Sequence, residues 1–342
     1  MADYQPPFTL TRDTVSLVAE ISERVGRLSI QLEQESQLRL RRINRIRTVT
    51  GSLAIEGNTL SEAQITAILD GKRVIAPPRE IQEASNALAA YEQLPQWDPQ
   101  HENDLRVAHR VLMLGLMQDT GVYRLGGAGV MAGDRLLHMA PSANQVPRLM
   151  KALFGWLGAS RDHPLIVSSV FHYEFEFIHP FADGNGRMGR LWQTLMLSRW
   201  QPLFANLPVE SLVHQHQSEY YQAINQSTAQ SDSAPFITFM LTMIRDALES
   251  SATPQVAPQV SPQVAALLGV LSGAMSREQL QAALGLADRK SFRVRYLLPA
   301  LAAGWIEMTI PDKPQSRMQQ YRLSEAGRAV LGEIEPVTHD KM

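Results

Sequence analysis

The sequence contains no cysteine. That excludes disulfides, thiol catalysis and cysteine-ligated zinc or iron–sulfur centres. It also fits a reducing compartment, so a cytoplasmic location is expected. No apolar run is long enough to cross a bilayer. The first twenty residues mix Asp, Arg, Thr and Pro without a continuous apolar stretch, so neither an export signal nor a membrane partner is expected. Charge of one sign is missing too. Against 32 Lys and Arg stand 34 Asp and Glu, a formal net of -2, which gives no global attraction to nucleic acid but leaves room for a local basic face. Strand–helix alternation is absent, which argues against a doubly wound sheet. What is present is 342 residues with 44% hydrophobic content, room for two or three domains with substantial cores.

Apolar residues recur at helical spacing from 14 to about 49, among them Leu17, Ile21, Val25, Leu28, Ile43 and Ile46. Arg39, Arg41, Arg42, Arg45 and Arg47 cluster late in this stretch, as a solvated face or a partner or phosphate contact. Ser52 is expected to cap a short helix that Gly57 and Asn58 stop, and Ser61 to cap the next. Further helices are expected over 79–93, 101–117, 144–158, 164–177, 187–200, 207–225 and 234–249. Between them, glycines at 121, 126, 127, 129 and 133 alternate with short apolar pieces and predict a hairpin flap over 121–139. Three prolines and no charge over 250–262 read as a semi-stiff linker. Three helices and a two-stranded wing are expected beyond it, a winged-helix-like module over 263–335.

The chemistry concentrates in His179-Pro-Phe-Ala-Asp-Gly-Asn-Gly-Arg-Met-Gly-Arg190. Gly184, Asn185 and Gly186 precede a helix, where a curled backbone aims successive N–H groups at an anion. Arg187 and Arg190 are three apart on one side of that helix, with forks that suit phosphate oxygens. Asp183 beside bound phosphates would be a natural magnesium ligand. His179, with an imidazole pKa near ~6.5, can accept a hydroxyl proton at neutral pH. Phe181 is expected to point into the core and pin the loop. The Lys and Ser/Thr of a phosphate-binding Walker segment are missing, and the glycine spacing is wrong for a dinucleotide fingerprint.

The segment 179–190 resembles, at every fixed position, the signature of the Fic family of nucleotidyl-transfer proteins, His-x-Phe-x-Asp/Glu-Gly-Asn-Gly-Arg-x-x-Arg. The likeness extends to His172-Tyr173-Glu174-Phe175-Glu176-Phe177-Ile178 and to Gly121-Val122-Tyr123-Arg124. It implies a mainly α fold, a helical Fic-type core with a β-hairpin flap followed by the small winged-helix-like module. The domains would be a helical region over 1–110, a catalytic core over 111–249, the linker and the module. The implied activity is transfer of AMP from ATP, with magnesium or manganese, to a Ser, Thr or Tyr of a target protein. His179 would be the base, Asp183 the metal ligand, Gly184, Asn185, Gly186 and Arg187 phosphate contacts, and Arg190 the contact to the terminal phosphate. The flap would align a target segment by strand addition.

Ser52-Leu-Ala-Ile-Glu56-Gly57, within 50–60, resembles the family's inhibitory segment. The resemblance implies that Glu56 pairs with Arg190 and keeps ATP from binding productively. It also allows two alternatives: an AMP-removing hydrolase that uses Glu56, and an ATP-sensing, DNA-binding regulator. A homodimer is implied as well, since relatives often pair. Residues 261–342 hold ten Lys and Arg and eight Asp and Glu, a net of +2. That is thin for backbone-driven DNA binding, which favours protein contact for this module, and a gel shift at low and moderate salt separates the two.

Overall fold

The computed structural model describes residues 4–31, 37–132, 135–252, 261–286, 288–310, 316 and 318–334. The chain forms two compact units, Met1–Ala252 and Thr253–Met342. The linker expected at 250–262 and the wing loop at 311–317 fall largely outside the described residues.

In the first unit, the helical spacing over 14–49 forms α1 (Arg12–Gln31) and α2 (Gln37–Ile55). Ser52 does not cap a helix. It lies inside α2, buried, because the apolar face of α2 continues through Leu53 and Ile55. The end of α2 is a paired C-terminal turn. Asn58 N–H bonds to Leu53 O at 3.1 Å and Gly57 N–H to Ala54 O at 3.0 Å, with Gly57 at φ 87°. Glu56 is thus the last residue before that left-handed glycine. Ser61 then caps α3 (Glu62–Leu69), and Gln64 reaches back to complete the box. Within the arginine cluster, Arg42 pairs with Asp70 and Arg47 approaches Glu62 at 3.9 Å.

The chain continues through α4 (Pro78–Gln93), α5 (Glu102–Leu112), a hairpin of β1 (Gly129–Ala132) and β2 (Arg135–Met139), and α6 (Val146–Ala159). The last helices of the unit are α7 (Pro164–Ile178), α8 (Asn185–Trp200), α9 (Val209–Gln215), α10 (Gln217–Gln230) and α11 (Ala234–Ala252). The hairpin is antiparallel, with a register shift between Val130 and Met131. His216 separates α9 from α10 where one helix is expected over 207–225.

Helix α7 is buried along nearly all its length, from Leu165 to Ile178, and packs on α8. One apolar core joins α1, α2, α4, α5, α6, α7, α8 and α11. Residues 1–110 and 111–249 therefore share their buried side chains, and the segment around Glu56 is packed against the same body as the loop at 179–184. A helix buried on nearly every side lies at the centre of a core. Both ends of the α7–α8 connection are fixed by that placement.

The second unit runs α12 (Pro262–Val270), β3 (Met275–Ser276), α13 (Arg277–Ala283), a composite helix over 289–302, β4 (Ile306–Met308), β5 (Gln320–Leu323) and a last helix (Glu325–Ile334). The order is winged-helix-like. The sheet has three strands rather than two, in the order β3-β5-β4, because Met275 and Ser276 pair with Tyr321 and Gln320. The composite helix widens to a π turn at Arg293–Leu297, just before Pro299. Proline cannot donate to the carbonyl four residues back, and the wider turn moves that carbonyl away from the ring.

Candidate active site

Helix α7 ends on His179, which takes a left-handed conformation at φ 50°. This is an uncommon conformation for a residue with a side chain. Here it turns the chain out of α7 at a sharp angle into the loop that leads to α8. Arg124 holds that turn. Its Nε donates to His179 O at 2.7 Å, its Nη1 to Gly126 O at 2.7 Å, and its Nη2 to Ile178 O and Pro141 O. Its backbone N–H donates to Pro180 O at 2.9 Å. The guanidinium is buried among carbonyls at the C-terminus of α7, where the helix dipole favours a cation. Arg124 thus links the flap to the core.

The loop itself is closed from within. The Asn185 carboxamide accepts from Phe181 N and donates to Phe181 O, both at 2.8 Å. The Asn185 side chain is therefore engaged with the loop, and its main-chain N–H is the part that belongs to the first turn of α8. Phe181 is fully buried, as expected, and stacks on His109 at 3.7 Å between ring centroids. His109 accepts at Nδ1 from Gly121 N (2.7 Å), so its Nε2 donates to Asp183 O (3.0 Å). Burial pushes its pKa down to about 4, which keeps the ring neutral for both bonds. His109 is structural, as the lack of ligand spacing predicts, but it ties the loop to the base of the flap.

Gly184 caps α8 at φ 82°, and a Cβ there would lie 2.6 Å from the Met113 sulfur. Beyond it come the N–H groups of the first turn of α8, which have no acceptor within the helix. Gly186 allows the closest approach in the site. Glu56 Oε1 lies where any side chain on Gly186 would collide with it. The same oxygen accepts from Arg190 Nη2 at 2.6 Å. Arg190 also donates from Nε to Ser52 Oγ (3.2 Å) and from Nη2 to Ser52 O (3.0 Å), and only 2% of its side chain is exposed. A carboxylate at the C-terminal end of α2 opposes that helix dipole. Its counter-charge comes from another helix 134 residues away.

Asp183 is 46% exposed and already engaged. Its Oδ1 accepts from Gly184 N (2.6 Å) and Arg187 Nη2 (3.2 Å), and its Oδ2 from Arg79 Nη2 (3.2 Å). Arg187 is 5% exposed. Its Nη1 faces Glu83 Oε1 at 3.5 Å, and its Nε is buried without a hydrogen-bond acceptor among the described residues. An orphaned guanidinium N–H costs desolvation energy until an anion arrives.

His179 Nδ1 is 3.9 Å from Glu176 Oε2, and Glu176 Oε1 is 3.9 Å from His172 Nε2. His172 donates from Nδ1 to Gln193 Oε1 (2.7 Å) and accepts at Nε2 from Tyr220 OH (3.2 Å), and burial pushes its pKa down to about 3. His172 is thus a structural, neutral residue, and Tyr220 packs there. Burial raises the Glu176 pKa to about 8, with Arg190 opposing and Glu56 reinforcing the shift. Between about pH 4.5 and 8 the folded chain keeps a proton on Glu176 that the unfolded chain has released. Stability from this group therefore falls as pH rises through that window. Glu176→Gln, which cannot ionise, is expected to melt at least ~4 °C above the parent near pH 8, with the gap narrowing towards pH 4.5. A calorimetric gap that does not change with pH would contradict the assignment.

The structure brings together His179, Phe181, Asp183, Gly184, Asn185, Gly186, Arg187 and Arg190, with Ser52 and Glu56 against them. Gly57 shapes the turn rather than the site. The sequence gives no warning of Arg79 or Glu83, and marks Glu176 only as part of the stretch that resembles the family. Arg79 and Glu83 have the spacing of an ordinary surface pair on one helix. Among the described residues no cluster of three His, Cys, Asp or Glu could hold a metal. Asp183 alone suits a hard cation that takes most of its ligands from phosphate and water. No helix among the described residues is long and apolar enough to cross a membrane.

Comparison with known proteins gives a consistent result. The model of the Fic/DOC family matches residues 97–197, and that of the filamentation induced by cAMP protein Fic-like C-terminal domain matches 262–324. The crystal structure of a Fic family protein from Desulfovibrio desulfuricans G20 is 52% identical, with a TM-score of 0.74 over 94% of this chain and 99% of that one. A protein described as protein adenylyltransferase Fic from Nematostella vectensis is 30% identical over 202 residues, 55% of this chain and 44% of the relative. One of the same description from Culex quinquefasciatus is 30% identical over 206 residues, 57% and 39%. The chain thus matches less than half the length of these curated relatives.

Proposed function

We propose, since this chain belongs to the Fic family, that it is a protein adenylyltransferase that moves AMP from ATP to a hydroxyl side chain of a target protein. The observation that carries this reading is His179 at the mouth of a helix N-terminus flanked by two buried arginines, one with an orphaned N–H. That combination fits a polyphosphate next to a proton acceptor. The relatives' printed description, protein adenylyltransferase, points the same way.

In this reading the hydroxyl of a target Ser, Thr or Tyr attacks the α-phosphorus of ATP. The His179 imidazole takes the hydroxyl proton. The bond to the leaving oxygen breaks, and pyrophosphate departs with the electron pair. The main-chain N–H groups of Asn185 and Gly186 hold phosphate oxygens, together with the Arg187 guanidinium, and that of Gly184 joins them once it leaves Asp183 Oδ1. Arg190 receives the terminal phosphate once Glu56 has left it. Magnesium, or manganese in its place, would be held by Asp183 and would neutralise phosphate charge when bound. Donors fixed in advance in this way contribute roughly 3 kcal/mol each to lowering the barrier. The hairpin over 129–139 offers an edge to which an extended target segment adds as a strand.

Mass spectrometry of the chain and of lysate proteins after incubation with ATP and magnesium tests the reading. It should find AMP attached to a hydroxyl side chain with Glu56→Gly. Release of AMP from a modified target, lost without Glu56, would identify a hydrolase instead. DNA binding with no adduct, even without Glu56, would identify an ATP-sensing regulator.

A further inference from the structure

Four charged side chains close a ring at the edge of the site. Glu83 Oε1 is 3.5 Å from Arg187 Nη1 and 3.2 Å from Arg79 Nε. Arg79 Nη2 is 3.2 Å from Asp183 Oδ2, and Asp183 Oδ1 is 3.2 Å from Arg187 Nη2. The other Glu83 oxygen accepts from Asn58 Nδ2 at 3.0 Å, and Asn58 Nδ2 also donates to Glu80 O at 3.2 Å. Glu83 is thus fixed from two sides: by its own helix through Arg79, and by the turn after Glu56.

Two ion pairs hold the buried Arg187 charge, one to Asp183 and one to Glu83. They are not equivalent. Asp183 is half exposed and is the carboxylate suited to a divalent cation. Its oxygens would exchange partners for a bound cation. Glu83 is only 12% exposed and tied to Asn58 and Arg79, so it stays. A guanidinium with one fixed and one exchangeable partner keeps its place while the site fills.

We propose that Glu83 is a positioning residue for Arg187, pinning one edge of the guanidinium so that its unpartnered Nε–H stays available to a bound phosphate. This rests on the reading that Arg187 contacts the nucleotide, and the test separates the two. The sign of the effect is informative. Glu83 is an anion close to a proposed anion site, so if it acted only through its charge, removing that charge would tighten ATP binding. If it positions Arg187, removing the charge weakens binding.

The experiment is a double-mutant cycle in a Glu56→Gly, His179→Ala chain, which leaves the site open and ATP unconsumed. ATP affinity with magnesium chloride is measured by calorimetric titration, with circular dichroism as the check on folding. Arg187→Ala is expected to weaken ATP about 30-fold, the worth of a charge-assisted contact. Glu83→Gln is expected to weaken it about tenfold with Arg187 present, and less than twofold with Arg187→Ala. Tighter binding by Glu83→Gln, or the same loss in both backgrounds, overturns the proposal and leaves the Arg187 contact standing. No loss with Arg187→Ala alone overturns both.

Discussion

Glu56→Gly is expected to raise AMP incorporation into the chain, in ATP and magnesium, roughly 10- to 100-fold over the parent. The reason is what Glu56 now does. Its Oε1 accepts from Arg190 Nη2 at 2.6 Å and lies against Gly186, over the first turn of α8. A charge-assisted bond of this kind is worth about 1.5–3 kcal/mol, and each 1.4 kcal/mol is a factor of ten. Removing the side chain also removes a negative charge from the place where a phosphate would come. Arg190 is not left bare, because Ser52 still accepts from both its Nε and its Nη2. The guanidinium is therefore held in place for a phosphate, and the variant should fold. Incorporation of labelled AMP is the measurement. No rise over the parent would remove the inhibitory role from Glu56 and leave the ion pair as a structural contact.

His179→Ala, made on the Glu56→Gly chain, is expected to lower that incorporation about 10²- to 10⁴-fold, the usual contribution of a positioned general base. ATP binding should change less than threefold, because the proposed site holds phosphates through α8 and not through the imidazole. A left-handed alanine is strained by about 1–2 kcal/mol, as the histidine already is, so the turn gains little new strain. The Arg124 bond to the carbonyl of residue 179 does not depend on its side chain. Retained activity with bound ATP would move the base elsewhere.

The helices, the hairpin and the signature loop were legible because each has a local cause. Apolar spacing marks α7 and α8, Ser61 with Gln64 marks the start of α3, and glycines mark the flap. Ser52 misleads for the same reason. A serine before a glycine turn looks like a cap, yet here it is the interior residue whose hydroxyl accepts from Arg190, 138 positions on. The third strand of the C-terminal sheet is two residues long and has no pattern of its own.

The sequence by itself determined the helical composition, the reactive residue types and their order from His179 to Arg190, since these follow from neighbours along the chain. It also made Glu56 a candidate partner for Arg190. Only the tertiary structure decided that Arg124 caps the turn at His179, that Asn185 is engaged with Phe181, and that Arg79 and Glu83 reach Asp183 and Arg187. The Arg79–Asp183 and Glu83–Arg187 contacts join side chains about a hundred residues apart, through the packing of one shared core. No local pattern encodes which carboxylate on one helix will meet a buried cation on another.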